Sequence, residues 1–118
     1  MHLVIGAGEF LGDRVSRTLA TEGVPLIELG ADADDETLRD AMSGVEVVHI
    51  CAMAWSPARR LKLRKDPPPF LMRVVEAARS ANVRRLVLVS TADVYGPDHR
   101  VRINEKSELK PVHVFEKL

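Results

Sequence analysis

Along this chain, short unbroken apolar runs take turns with stretches in which apolar residues recur every three to four positions. Leu3, Val4 and Ile5 are uninterrupted, the pattern of a strand buried on both faces, and they predict a central strand. From Phe10 to Glu22, Phe10, Leu11, Val15, Leu19 and Ala20 recur at helical spacing with Asp13, Arg14 and Arg17 between them, and Gly23 follows as a stop. Val24 to Leu29 predicts a second strand, with Pro25 tolerable only near its beginning. Asp34 to Ser43 carries acids in its first turn, where they complement the helix dipole, and Leu38, Ala41 and Met42 form its apolar stripe. Val45 to Ala52 predicts a third strand, and Phe70 to Ala81 a helix buried along Leu71, Val74, Val75 and Ala78. Leu86 to Ser90 predicts a fourth strand, again buried.

Strand and helix thus alternate through the chain. That order implies parallel strands joined by right-handed crossovers, a doubly wound α/β sheet with helices on both faces. Ligands of such sheets bind beyond the carboxyl ends of the strands. The glycines after the first strand, Ala52 to Ser56, and Ser90 to Gly96 all fall at that edge.

Length and charge narrow the picture. A chain of 118 residues makes one domain, residues 1–118, able to bury roughly two thirds of its unfolded surface without a staple. Seventeen basic and seventeen acidic residues cancel, so no global field favours nucleic acid or an anionic membrane. Cys51 is the one cysteine and lies in an apolar run, the setting of a small buried hydrophobe in a reducing compartment, and a cytoplasmic location is expected. There is no secretory leader pattern, and no apolar stretch approaches the eighteen or so residues of a membrane span.

Candidate chemistry concentrates after the first strand. Gly6, Gly8 and Gly12 allow a tight turn, a close backbone approach to a pyrophosphate, and close packing of the following helix. Their spacing, G-x-G-x-x-x-G, is one residue longer than the strict dinucleotide fingerprint, and a glycine-rich turn without a ligand has the same appearance. An acid for the adenosine ribose is expected at the end of the second strand; Gly30 stands there, with Glu28 and Asp32 two residues to either side. Arg59, Arg60, Lys62, Arg64 and Lys65 form a basic run that suits a phosphate or a solvated face, and Trp55 beside it suits an apolar edge or a base. His49 lies mid-strand among apolar neighbours, which points to a structural role. His2, His99 and His113 are scattered, so no metal site is expected.

By the fourth strand the accumulated pattern resembles the extended short-chain dehydrogenase/reductase family, the NAD-dependent epimerases and dehydratases of nucleotide sugars and related substrates. Val83 to Gly96 (VRRLVLVSTADVYG) is similar to that family's strand ending in Ser-Ser/Thr-x-x-Val-Tyr-Gly, and Val47 to Ala52 (VVHICA) to its Val-Val-His-Leu-Ala-Ala strand. Glu105 and Pro111 are spaced like its Glu and Pro before the catalytic helix. The resemblance covers the whole chain and implies an abbreviated Rossmann-like domain that binds NAD or NADP. It implies cofactor contacts at Gly6, Gly8, Glu9, Phe10, Leu11, Gly12, Asp32, Cys51, Ala52 and Ser90. It also implies that Thr91 is the hydroxyl that hydrogen-bonds the reacting oxygen, and that a homodimer is possible.

Four departures accompany the resemblance. The family's catalytic Tyr aligns with Phe115, which has no proton to exchange, and its Lys would fall just past Leu118, with Lys117 offset by two. The family's helical Asn would lie near Pro67, inside a proline tract. Sequence for one strand and one helix is missing between the second strand and Asp32, and no substrate domain is represented. Finally, Glu9 occupies the place of the middle glycine. A carboxylate there favours the empty helix by ~0.3–1 kcal/mol, whereas each like-charge pair with a pyrophosphate about 5 Å away costs roughly 3 kcal/mol at an effective dielectric near 20. Two functions follow: the cofactor-binding portion of an epimerase/dehydratase-like oxidoreductase, or a catalytically inactive dinucleotide-binding or protein-interaction module.

Overall fold

The computed structural model describes residues 1–51, 69–89 and 104–106. In chain order these form β1 (His2–Ile5), α1 (Phe10–Thr21), β2 (Leu26–Leu29), α2 (Asp35–Met42), β3 (Val47–Ile50), α3 (Pro69–Ser80) and β4 (Arg85–Leu88). The strands make one parallel sheet in the order β2-β1-β3-β4. This is the doubly wound arrangement that the alternation predicts, with β1 central. The connection from β2 to β3 passes over β1, so the chain reverses direction across the sheet between β1 and β3. The ligand crevice of such a sheet lies at that reversal.

The register sets out the core in rows. Ile27, Leu3, Val48 and Leu86 stand side by side, as do Leu29, Ile5, Ile50 and Leu88. On that face Leu3, Ile5, Val48 and Ile50 pack with Leu38 and Met42 of α2 and Leu71, Val74 and Ala78 of α3. Val4 is fully buried and, by the period of two, faces the other way, where α1 crosses β1 and β2. Each fully buried Leu, Ile, Val or Met contributes about 1.5–3 kcal/mol, so the central strands dominate the fold's stability.

Helix ends follow local chemistry. Asp34 caps α2 by accepting from the Thr37 N–H at 2.8 Å, and this bond holds its carboxyl below the usual range. Arg73 of α3 ties the two helices on this face together, its Nε 2.5 Å from Asp35 Oδ1 and its Nη2 donating to the Ala33 carbonyl at 2.9 Å. Pro25 ends just outside β2, and its carbonyl accepts the His2 N–H at 2.9 Å.

Three expectations are corrected. Strands are shorter than the apolar runs: β2 begins at Leu26, β3 runs from Val47 to Ile50, and β4 runs from Arg85 to Leu88. β4 is also not buried; Leu86, Val87 and Leu88 are 38–40 % exposed. Its apolar pattern matches a central strand, but its place is the edge of the described sheet, where one side has no neighbouring strand. On the helices, Phe10 is 80 % exposed and Val75 is exposed, although both belong to the apolar periodicities; the face α1 buries is Gly12 and Ser16. Helix α1 packs so close to the sheet that small residues fill the contact and larger ones are displaced outward.

Candidate dinucleotide site

The site begins where β1 ends. Gly6 leaves the strand at φ +92°, a conformation an L side chain rarely adopts, and turns the chain across the carboxyl edge of the sheet. Its N–H and that of Ala7 donate to the Leu29 carbonyl at 2.8 and 3.3 Å, fastening the turn to the end of β2. The Glu9 N–H donates to the Gly6 carbonyl at 3.0 Å, and the Glu9 carbonyl accepts the first helical bond of α1, from Asp13, at 2.8 Å. Under the turn lies Gly12. A Cβ there would stand 1.9 Å from the Gly6 oxygen and 2.5 Å from its carbonyl carbon, both backbone atoms. The helix can start this close to the strand only with glycine at 12.

Gly6 and Ala7 are engaged by Leu29, and the N–H groups of the first turn of α1, Phe10 to Gly12, have no acceptors within the helix. They carry the positive end of the helix dipole. An anion of pyrophosphate size fits these donors, and the glycine cradle fits its close approach. Glu9 is the departure from that fit. It is the N-cap residue of α1 in extended conformation, and its side chain makes no capping hydrogen bond.

The neighbouring strands bring two further residues to the edge. Cys51 follows β3, is 5 % exposed, and donates its N–H to the Ile5 carbonyl at 2.9 Å. Burial, and then the Glu9 charge, push its thiol above the ordinary value. Both effects disfavour the thiolate, the nucleophilic form of the group. Beyond β2, Asp32 folds back over Gly30, with its Oδ1 2.8 Å from where a Gly30 Cβ would be. Glu28 lies lower in the strand, beside Val4. Of the two acids, Asp32 is the one at the carboxyl edge.

The fold thus brings Gly6, Gly8, Glu9, Phe10, Leu11, Gly12, Asp32 and Cys51 to one edge of the sheet. Phe10 points outward, with the Arg14 guanidinium 5.5 Å from its ring centroid. Ala52, Ser90, Thr91, Phe115, Trp55, the basic run from Arg59 to Lys65, and Pro67 and Pro68 lie outside the described residues. Sequence reading missed the use of the Leu29 carbonyl as anchor for the turn, which no side chain signals. It also missed the contact of His2 Nδ1 with His49 Nε2 at 3.0 Å. The two histidines are 47 positions apart, and only the register of β1 with β3 brings them together.

Comparison with known proteins agrees with this geometry. A family described as NAD(P)H-binding matches residues 12–115. A comparison with curated protein sequences returns no match. Among solved structures, a short-chain dehydrogenase/reductase superfamily protein from Agrobacterium tumefaciens with bound NAD superposes with a TM-score of 0.81 at 26 % identity, over 98 % of this chain and 40 % of its own. A dTDP-glucose 4,6-dehydratase double mutant from Streptomyces venezuelae, also with NAD, gives 0.82 at 21 % identity, over 98 % and 47 %. UDP-N-acetylglucosamine 4-epimerase from Bacillus cereus gives 0.79 at 20 % identity, over 98 % and 49 %. The chain spans less than half the length of each. Its fold is that of the superfamily the sequence motifs resemble, and the chain belongs to the NAD(P)H-binding family.

Proposed function

We propose that the chain is the dinucleotide-binding portion of an epimerase/dehydratase-like oxidoreductase acting on a nucleotide sugar or a related hydroxyl or carbonyl substrate. The observation that carries the reading is the Gly6-to-Gly12 turn, packed against β1 at the reversal point of a sheet whose family binds NAD(P)H. In this reading the first-turn N–H groups of α1 hold the pyrophosphate and Asp32 accepts from a ribose hydroxyl. A 2′-phosphate would be repelled by Asp32, so NAD(H) is favoured over NADP(H). The family resemblance assigns Ala52 and Ser90 to the cofactor and Thr91 to the reacting oxygen. The dinucleotide supplies the hydride acceptor or donor.

Phe115 favours a second reading for the chain by itself. With no hydroxyl at that position the proton transfer that accompanies hydride transfer has no donor, so the module binds a dinucleotide without turning it over. Thermal denaturation in a magnesium-containing buffer with millimolar NAD, NADH, NADP or NADPH tests both readings. A rise in melting temperature with the NAD pair, larger than with the NADP pair, is the expected result. No shift with any of the four would overturn dinucleotide binding altogether.

A further inference from the structure

Two histidines meet away from the dinucleotide edge, on the sheet face that carries Val4. His2 shares that face by the period of two, and the register of β1 with β3 sets Val4 beside His49, so both rings rise from one face of neighbouring strands. His2 Nδ1 lies 3.0 Å from His49 Nε2, with the ring centroids 5.2 Å apart and the ring planes tilted by 30°. Each ring is carried by fixed backbone. The His2 N–H donates to the Pro25 carbonyl at 2.9 Å, and β3, which bears His49, is paired on both sides by β1 and β4. Both residues are only partly buried, so a solute can reach them. For two such rings a mutual hydrogen bond brings little, because each can bond to water instead. A pair of imidazole nitrogens held this close by rigid strands has a second use, since imidazole is the commonest metal ligand among side chains.

We infer that His2 Nδ1 and His49 Nε2 together bind one divalent transition-metal ion, bridging β1 and β3. Two metal–nitrogen bonds of about 2.0–2.1 Å that span the observed 3.0 Å enclose an angle of about 90–100°. That is close to the angle between neighbouring ligands of an octahedral or square-planar ion, the geometries of Ni²⁺ and Cu²⁺ with nitrogen and oxygen donors. To receive the ion, the ring that donates the hydrogen bond moves its proton to its other nitrogen, and both rings turn their free lone pairs onto the metal. No net proton is lost. Among the described residues no three His, Cys, Asp or Glu side chains converge, so waters complete the coordination. Because the two nitrogens meet only when β1 and β3 are in register, the ion binds the folded chain and stabilises it. The site is independent of the dinucleotide reading.

Titration calorimetry of the full, untagged chain with NiCl₂ at neutral pH tests the site, beside His2→Gln, His49→Gln and the double variant His99→Gln/His113→Gln. Circular dichroism checks that each variant is folded. The unmodified chain is expected to bind Ni²⁺, and either single substitution to weaken that binding by at least about tenfold. The double variant is expected to stay within about twofold of the unmodified chain. No binding by the unmodified chain up to millimolar Ni²⁺ overturns the inference. So does a loss in His2→Gln alone, which would place the ion on His2 and the terminal amine without His49. Equal affinity in both single variants and the unmodified chain, or a loss confined to the double variant, would put the ion elsewhere and overturns it as well.

Discussion

Gly12 rests directly against the carbonyl of Gly6, so close that a methyl group at position 12 would lie 1.9 Å from the Gly6 oxygen. This contact joins the end of the central strand to the start of α1. It makes the loop a rigid part of the core.

The first prediction follows from that contact. Gly12→Ala forces backbone to move and should cost upwards of about 3 kcal/mol, in the range reserved for core overpacking and strain. Gly8 is the control, because a Cβ there meets nothing within 4 Å. Gly8→Ala should leave the urea midpoint within about 1 kcal/mol of the unmodified protein. Equal loss in the two variants would show that the loop, and not the strand-to-helix contact, sets the stability.

A second prediction concerns the face that α1 buries. Ser16 is 4 % exposed, and its hydroxyl is buried with no hydrogen-bond partner among the described residues. An unsatisfied buried hydroxyl costs about 1–3 kcal/mol, and alanine is also the better helix former. Ser16→Ala should therefore raise stability by roughly 1 kcal/mol, or about 4–8 °C in melting temperature. A fall would mean the hydroxyl is satisfied.

The third is a pH dependence. His49 has its pKa lowered by burial and then by the neighbouring charge of His2, whose ring lies 5.2 Å away between centroids. The unfolded chain takes up this proton near the ordinary value, about 6.5, while the folded chain resists it. Stability from this group is thus fully present above that value and is lost as pH falls through the lower folded pKa. Urea midpoints measured downward from neutrality should decline before the carboxylates titrate. His49→Gln should flatten that decline, and His2→Gln should flatten only the part due to its charge. An unchanged slope in both variants would remove the pair as its source.

Much of this protein is legible along the chain because its elements are decided locally. The helices over residues 10–21, 35–42 and 69–80 follow from apolar periodicity and from the capping chemistry of Asp34, all within a few residues. The glycine turn is likewise local: a strand running into Gly6 and a helix crowded by Gly12 need those residues whatever lies elsewhere. Lateral position is different. Leu86, Val87 and Leu88 have the composition of a central strand, yet their exposure depends on how many strands stand beside β4, which no property of the run itself encodes. The same holds for His2 against His49 and for Arg73 against Ala33 and Asp35, contacts made across roughly forty residues by strand register and helix packing. The two acids near the end of β2 show the boundary well. Glu28 and Asp32 are equivalent as spacing, and only the fold, by ending β2 at Leu29 and turning Asp32 back over Gly30, separates them. Local chemistry thus determined the elements and the loop, because turns and periodicity act over a few residues. Tertiary structure alone decided which faces close and which charges meet, because burial and electrostatics depend on neighbours that the chain brings from far away.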